Sequence, residues 1–239
     1  MIYLSIAGTR PQLIKASVVS TAFSLVHDQN LQHYVVDTSQ HYDYSLADFF
    51  KKQLFPTKDH DKIETLELTF NSEISFIASC LSQLELKIKE IKPSVIISYG
   101  DTNSTICACI IANRFNIPLA HVEAGVRDRS HIRPEEMNRL IADTMSDILF
   151  APTITAFQNA KDEFSGPYSK EIVFTGDVMR DLYINNSDKF IKPRLEFEIK
   201  STFVLVTLHR QENVDNEEYL SNIISALNAL SLEVQIIFP

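Results

Sequence analysis

The stretch IPLAHVEAGVR, residues 117–127, contains the strongest fold signal in the chain, because an apolar strand runs directly into charged residues. The next twelve residues, DRSHIRPEEMNR at 128–139, mix acidic and basic side chains before apolar periodicity resumes. A parallel strand in an open α/β sheet has its ligand site just beyond its carboxyl end. Glu123 and Arg127 are therefore expected beside a bound substrate. A solvated surface loop is the less favoured interpretation, because such a loop would not need charges of both signs where a buried strand ends.

Strands and helices alternate on both sides of this stretch. Six apolar runs are predicted strands: residues 2–7, 34–37, 94–98, 117–122, 147–150 and 171–174. The helical patterns between them predict a doubly wound parallel sheet of the α/β class. Residues 1–175 form the expected N-terminal domain, and residues 176–239 form the expected linker and first part of a second domain. That second part offers two strands and one helix, which cannot cover both faces of a parallel sheet, so we expect it to be incomplete.

Composition narrows the possible classes of function. Of the 239 residues, 22 are Lys or Arg and 31 are Asp or Glu, which gives a net charge of −9 and argues against a nucleic-acid surface. No apolar run approaches the roughly 20 residues needed to cross a bilayer, and the apolar start is too short for a signal peptide. The three cysteines lie in apolar helical patterns without metal-ligand spacing. We expect reduced thiols, no metal site and a cytoplasmic protein.

The turn Gly8-Thr9-Arg10-Pro11 joins the first strand to a helix. A helix N-terminus offers free amides to an anion, and Arg10 and Lys15 add positive charge there. Lys15 alone would be interpreted as a solvated helix lysine, but its pairing with Arg10 at this turn favours ligand contact. The turn has one glycine where a dinucleotide-binding fingerprint needs three, so we exclude a nicotinamide cofactor site at this position.

Two further strands end in polar residues, and the sequence leaves two interpretations open at each. His41 follows the second strand and is either a polar ligand contact or a cap for the next helix. Asp101 follows Gly100 after the third strand. Its carboxylate is either the N-terminal cap of the following helix or a base that faces the cleft, and residue spacing alone does not separate these roles.

The turns share a pattern with one family along the whole chain. The matching segments, in order, are residues 8–15, 38–41, 100–102, 121–127, 134–139 and 207–213. Together they closely resemble the UDP-N-acetylglucosamine 2-epimerase family. The resemblance implies a fold of the glycosyltransferase B type, with two Rossmann-like doubly wound parallel-sheet domains and an active site between them. Residues 103–105 and 176–179 are most similar to the branch that acts on UDP-2,3-diacetamido-2,3-dideoxy-glucuronic acid.

The resemblance also implies a reaction. The family eliminates UDP to leave a 2-acetamidoglucal and then adds UDP back to the opposite face, without a cofactor. Asp101, Glu123 and Glu135 match the acid/base carboxylates, and which of them removes the C2 proton stays open. The positions that match contacts to the nucleotide sugar or its diphosphate are Arg10, Lys15, Arg139 and His209, with His41 a weaker match. Two further residues are expected to have other roles. Glu136 is expected to interact favourably with the helix dipole, and Arg127 is expected to orient Glu123.

The family also implies a homodimer that serves the synthesis of surface polysaccharide precursors. Two residues depart from its pattern: Ser39 stands where glycine is usual, and Asp128 stands where serine or threonine is usual. The later half of the second domain, which supplies most nucleotide contacts in the family, has no counterpart in this chain. We therefore expect the chain as given to bind a UDP-amino sugar poorly and to have little or no activity alone.

Three other functions remain as alternatives. A hydrolysing epimerase would release UDP and N-acetylmannosamine. A glycosyltransferase of the same fold is less favoured, because it needs no carboxylates for C2 proton removal. A non-catalytic binding or subunit module would keep the first domain without turnover.

Overall fold

The computed structural model describes residues 1–26, 28, 30–40, 54–55, 63–129, 133–166, 169–191, 197–208 and 211–238. The chain divides into two compact units, Met1–Asp188 and Lys189–Pro239. Within the described ranges, none of the helices combines the length and the apolar character that a membrane span requires.

The first unit is built around a parallel sheet of seven strands. These are β1 (Ile2–Ala7), β2 (Gln32–Asp37), β3 (Ile63–Thr65), β4 (Val95–Tyr99), β5 (Leu119–Val122), β6 (Ile148–Ala151) and β7 (Glu171–Phe174). The strand order is β3-β2-β1-β4-β5-β6-β7, and every neighbouring pair is parallel. The predicted doubly wound sheet is confirmed, and β3 lies in a segment for which the sequence predicted no strand.

The described part of the first unit has six helices of eight or more residues, of which five lie between strands in the chain and the sixth follows β7. They are α1 (Arg10–Leu25), α2 (Glu73–Ile91), α3 (Asn103–Phe115), α4 (Pro134–Met145), α5 (Ile154–Glu163) and α6 (Val178–Asn186). The strand order reverses between β1 and β4, since the chain winds first to one edge of the sheet and then to the other. Parallel sheets bind ligands at such a switch point, outside the carboxyl ends of the strands.

Each face of the sheet has its own hydrophobic core. Successive strand residues point to opposite faces, so Val36 and Ile96 enter one core while Val35 and Ile97 enter the other. Helix α2 covers the first core with the buried side chains Phe76, Cys80, Leu84 and Ile88, which recur every four residues along one stripe. Both faces are therefore closed, and the strand ends remain as the place for polar chemistry.

The second unit contains a smaller parallel sheet. Strand β8 (Phe203–Leu205) pairs with β9 (Gln235–Ile237), and helices α7 (Gln211–Val214) and α8 (Glu217–Leu230) lie between them in the chain. The two strands and the longer helix appear where the sequence predicted them. The first unit continues to Asp188, beyond the limit expected at residue 175, because α6 packs against α1.

The chain leaves β5 in close contact with α5. Gly125 has φ of +75°, and a Cβ built on it would lie 2.0 Å from the carbonyl oxygen of Ala156. Gly176 has a similar φ of +83°, but a Cβ there would meet nothing within 4 Å. Gly125 is therefore required both by its backbone conformation and by the approach of a neighbouring backbone.

We predict that Gly125→Ala lowers the free energy of unfolding by about 3 kcal/mol, since left-handed strain and a backbone clash add together. Gly176→Ala is the matched control and should cost about 1 kcal/mol, because it carries the strain without the clash. Urea unfolding followed by far-UV circular dichroism measures both. Equal losses in the two variants would contradict the close approach of β5 and α5.

Candidate active site

The first ion pair of the site joins α1 to the end of β5. Lys15 is buried in α1, and its Nζ contacts the carboxylate of Glu123. Glu123 has φ of +77°, a strained conformation for a residue with a side chain. The amides of Glu123 and Ala124 hold this conformation by donating to the carbonyl oxygen of Phe150 on β6, at 3.1 and 3.0 Å. The fold therefore imposes the direction of the Glu123 side chain.

Gly100 makes room for this pair at the end of β4. A Cβ built on Gly100 would lie 3.3 Å from Glu123 Oε2 and 3.7 Å from Lys15 Nζ. The turn that carries Asp101 thus passes directly beside the Glu123 carboxylate. Side chains that follow β4 and β5 meet at one edge of the sheet, as the sequence predicted for parallel strands.

The second ion pair joins the same turn to α4. Arg139 contacts the carboxylate of Asp101 through Nη2, and its Nη1 donates to Glu136 Oε2 at 3.1 Å. Burial alone would lower the pKa of Arg139, but the neighbouring charges of Asp101 and Glu136 outweigh burial and raise that pKa. The helix-cap interpretation of Asp101 is wrong, because Thr102 is the N-cap residue of α3 and the Asp101 carboxylate pairs with arginine.

Glu136 is buried and acts as more than a partner of the helix dipole. Its carboxylate accepts from the amides of Asp128 and Arg129, each at 3.1 Å, in addition to Arg139. The Asp128 carboxylate lies 3.1 Å from Arg133 Nη1 and 3.8 Å from Arg139 Nη1. Arg139 is therefore surrounded by three carboxylates, those of Asp101, Glu136 and Asp128.

A third group of charges lies beneath the two ion pairs. His121 on β5 is fully buried, with Nδ1 2.6 Å from Asp143 Oδ1 and Nε2 2.9 Å from the carbonyl oxygen of Gly100. The other oxygen of Asp143 accepts from the amide of Gly125 at 2.9 Å and contacts Arg127 Nη2 at 2.7 Å. One buried carboxylate thus holds the backbone that follows β5 and, through His121, the backbone that follows β4.

The electrostatics of this group depend on its partners. Burial alone would raise the pKa of Asp143, but the hydrogen bond and charge of His121 and the charge of Arg127 outweigh it and lower that pKa. Arg127 pairs with Asp143 and Glu163, and not with Glu123 as expected. The predicted role of Arg127 as an orienter of Glu123 is wrong, because its guanidinium turns towards α4 and α5.

The turn between β1 and α1 is organised by Gln12. Its Oε1 accepts from the amides of Gly8 and Thr9 at 2.9 and 3.2 Å, and its Nε2 donates to Thr105 Oγ1 at 3.0 Å. The amides that the sequence offered to an anion are thus used internally at these two residues. Arg10 lies exposed in the first turn of α1.

Three other predicted site residues take no part in these ion pairs among the described contacts. Glu135 is exposed in the first turn of α4, and His41 and His209 lie outside the described residues. Ser39 has φ of +49°, a left-handed conformation that glycine adopts more easily than a residue with a side chain. Within the described ranges, no group of three or more His, Cys, Asp or Glu side chains could hold a metal ion.

Sequence reasoning missed the roles of Gln12, Glu136 and Asp143. A signal was present for the last two: Glu136, Arg139 and Asp143 follow the spacing i, i+3, i+7, which places them on one face of α4. A helix face that packs on a sheet is normally apolar. A charged row at that spacing indicates a polar network between helix and sheet.

Comparison with known proteins places this chain in a family. The family model for UDP-N-acetylglucosamine 2-epimerase matches residues 24–239. The chain is 38% identical over 232 residues to UDP-2,3-diacetamido-2,3-dideoxy-D-glucuronate 2-epimerase of Pseudomonas aeruginosa, with coverage of 97% of this chain and 64% of that protein. It is 36% identical over 242 residues to a UDP-N-acetylglucosamine 2-epimerase homolog of Methanococcus maripaludis, with coverage of 99% and 64%.

A solved structure extends the likeness to three dimensions. The crystal structure of Methanocaldococcus jannaschii UDP-GlcNAc 2-epimerase in complex with UDP-GlcNAc and UDP matches with a TM-score of 0.82 at 30% identity, over 100% of this chain and 65% of that one. The likeness confirms the α/β fold of the glycosyltransferase B type. The chain spans about 64% of the length of the two curated relatives above. On the match of the family model and on these identities, the chain belongs to the UDP-N-acetylglucosamine 2-epimerase family.

Proposed function

We propose that this chain carries the chemistry of an epimerase that inverts C2 of a UDP-2-acetamido sugar. One observation supports this most directly: two carboxylates, Asp101 and Glu123, emerge from adjacent strands, and each is paired with a cation. A site that only binds a nucleotide sugar needs cations for the diphosphate. It has no need of two carboxylates at the ends of neighbouring strands.

The reaction requires both kinds of charge. In the elimination step a carboxylate takes the C2 proton, the C1–O bond to UDP breaks, and the electron pair of the C2–H bond becomes the C1=C2 double bond of a 2-acetamidoglucal. Re-addition of UDP to C1, with a proton delivered to the opposite face of C2, gives the inverted sugar. A carbon that bears an acetamido group cannot be oxidised to a ketone as a carbinol can, so this route needs no hydride carrier.

The cations of the site suit the leaving group. The departing diphosphate carries negative charge, which guanidinium and ammonium groups stabilise. Lys15 and Arg139 lie beside the two carboxylates, so each can balance the carboxylate before substrate binds and the diphosphate once it leaves. Arg10 and His209 remain predicted contacts of the nucleotide sugar, and Glu135 a predicted third carboxylate.

The identity of the sugar is a finer proposal. The relative from Pseudomonas aeruginosa acts, by its name, on UDP-2,3-diacetamido-2,3-dideoxy-D-glucuronate, and its 38% identity favours that substrate over UDP-N-acetylglucosamine. The homodimer, the cytoplasmic location and the supply of surface polysaccharide precursors stay predictions from the sequence.

Incubation with each of these two UDP-sugars in deuterated water tests the proposal. Because the chain is expected to bind a UDP-sugar poorly, each sugar is supplied in large excess. We expect slow incorporation of deuterium at C2, detected by proton NMR, and a further fall of about a hundredfold or more in its rate for Asp101→Asn and for Glu123→Gln, because each loses a proton acceptor. Glu85→Gln, which changes an exposed carboxylate on α2, is the control and should exchange normally.

The products complete this test. Deuterated UDP-sugar indicates re-addition, whereas deuterated free sugar with UDP indicates the hydrolysing reaction. Absence of deuterium with both sugars would overturn the proposal and leave a binding or subunit module.

A second prediction concerns the geometry of Arg139. Arg139→Lys keeps the positive charge but loses the planar fork that reaches Asp101 and Glu136 together. We expect the rate of C2 exchange at saturating substrate to fall by about tenfold. Arg133→Lys is the matched control, since Arg133 pairs with Asp128 at the surface. An Arg139→Lys protein with the wild-type rate would show that charge alone suffices.

A further inference from the structure

His121 has a hydrogen-bond acceptor at each ring nitrogen. Its Nε2 lies 2.9 Å from the carbonyl oxygen of Gly100, and its Nδ1 lies 2.6 Å from Asp143 Oδ1. A carbonyl oxygen can only accept, so Nε2 must carry a proton. The protonation of Nδ1 then depends on the state of Asp143.

The contacts of Asp143 require an ionised carboxylate. Its Oδ2 accepts from the Gly125 amide at 2.9 Å and contacts Arg127 Nη2 at 2.7 Å, so two donors already converge on that oxygen. Hydrogen bonds donated to a carboxyl oxygen stabilise the ionised form of the group relative to its protonated form. Oδ1 therefore accepts from Nδ1, and both ring nitrogens of His121 carry protons.

Four other charged or titratable side chains lie around His121 and Asp143. The described groups that face the pair are Arg127 after β5, Glu163 on α5, Cys109 on α3 and Lys170 before β7. Burial and the charge of Asp143 raise the pKa of the Cys109 thiol to about 12, so the thiol is neutral. Lys170 places its ammonium on the carbonyl oxygens of Thr144 and Ser146.

Burial makes the partners of this pair necessary. The side chains of His121 and Asp143 are both 0% exposed, where an unpaired polar or charged group is expensive. The cations that act on the Asp143 carboxylate are Arg127, at 2.7 Å from Oδ2, and Lys170. A proton on Nδ1 of His121 gives Oδ1 a donor as well, so that neither oxygen of the buried carboxylate is left without one.

We propose that His121, with a proton on each ring nitrogen, is a positioning residue for the two carboxylates of the site. Its Nε2–H fixes the Gly100 carbonyl, directly before Asp101. Its Nδ1–H fixes Asp143, which holds the Gly125 amide two residues after Glu123. One imidazolium thus sets the distance between the turns that carry Asp101 and Glu123. The catalytic consequence rests on the proposed epimerase function, whereas the protonation state does not.

Long-range proton–nitrogen correlation NMR of the 15N-labelled chain tests the protonation state. The resonances of His121 are assigned by their loss in His121→Gln. We expect both ring nitrogens of His121 to have the chemical shifts of protonated nitrogens. Asp143→Asn removes the anion that accepts from Nδ1 and should leave a ring that is protonated at Nε2 alone in the same buffer. A neutral tautomer in the wild-type chain would overturn the proposal whether or not the chain turns over substrate.

Kinetics of C2 exchange then test the positioning role in a chain that shows exchange. His121→Gln should lower kcat by about tenfold to a hundredfold and leave KM nearly unchanged, because the carboxylates move while the sugar site remains. His33→Gln is the matched control: His33 is also buried in the sheet, on β2, where it bonds Ser5 at 2.8 Å. Equal kcat values for the two variants would refute the positioning role.

Discussion

The buried carboxylate of Asp143 is the interaction on which the geometry of the candidate site depends. It comes from α4, yet it binds an amide after β5 and the ring of His121, which in turn binds a carbonyl after β4. An ionised group in a protein interior is costly unless all its partners are present, and here they are the backbone and side chains of the sheet edge. The helix is thereby attached to the sheet at the place where the chemistry occurs.

Three layers of charge can be distinguished from the core outwards. The deepest contains His121, Asp143 and Arg127, which order the backbone of the turns. Above it lie the pairs of Lys15 with Glu123 and of Arg139 with Asp101, which are partly accessible. Exposed groups such as Glu135 lie outside them. Burial therefore decreases towards the space that a substrate would enter, while the turns that carry the two carboxylates are bonded to the buried groups.

The sheet topology explains why these layers can exist at all. Every strand of the first unit is parallel, so all the carboxyl ends open at one edge, and the reversal of strand order between β1 and β4 creates space there. Glu123 stands in a strained backbone conformation at this edge, held by the carbonyl of Phe150. Strain of this kind is tolerated where the neighbouring strand imposes it.

Sequence alone determined the fold class, because the alternation of apolar runs and helical patterns reflects local burial. Sequence also placed four site residues at strand ends or in helices that follow strands: Asp101, Glu123, Lys15 and Arg139. The tertiary structure decided which charges are paired. Arg127 and Glu123 are close in sequence, yet Arg127 pairs with Asp143 and Glu163 from other helices. Glu136 and Asp143 looked like ordinary helix residues until α4 was packed on the sheet. Ion pairing depends on distances between elements remote in sequence, and periodicity within one element carries no record of those distances.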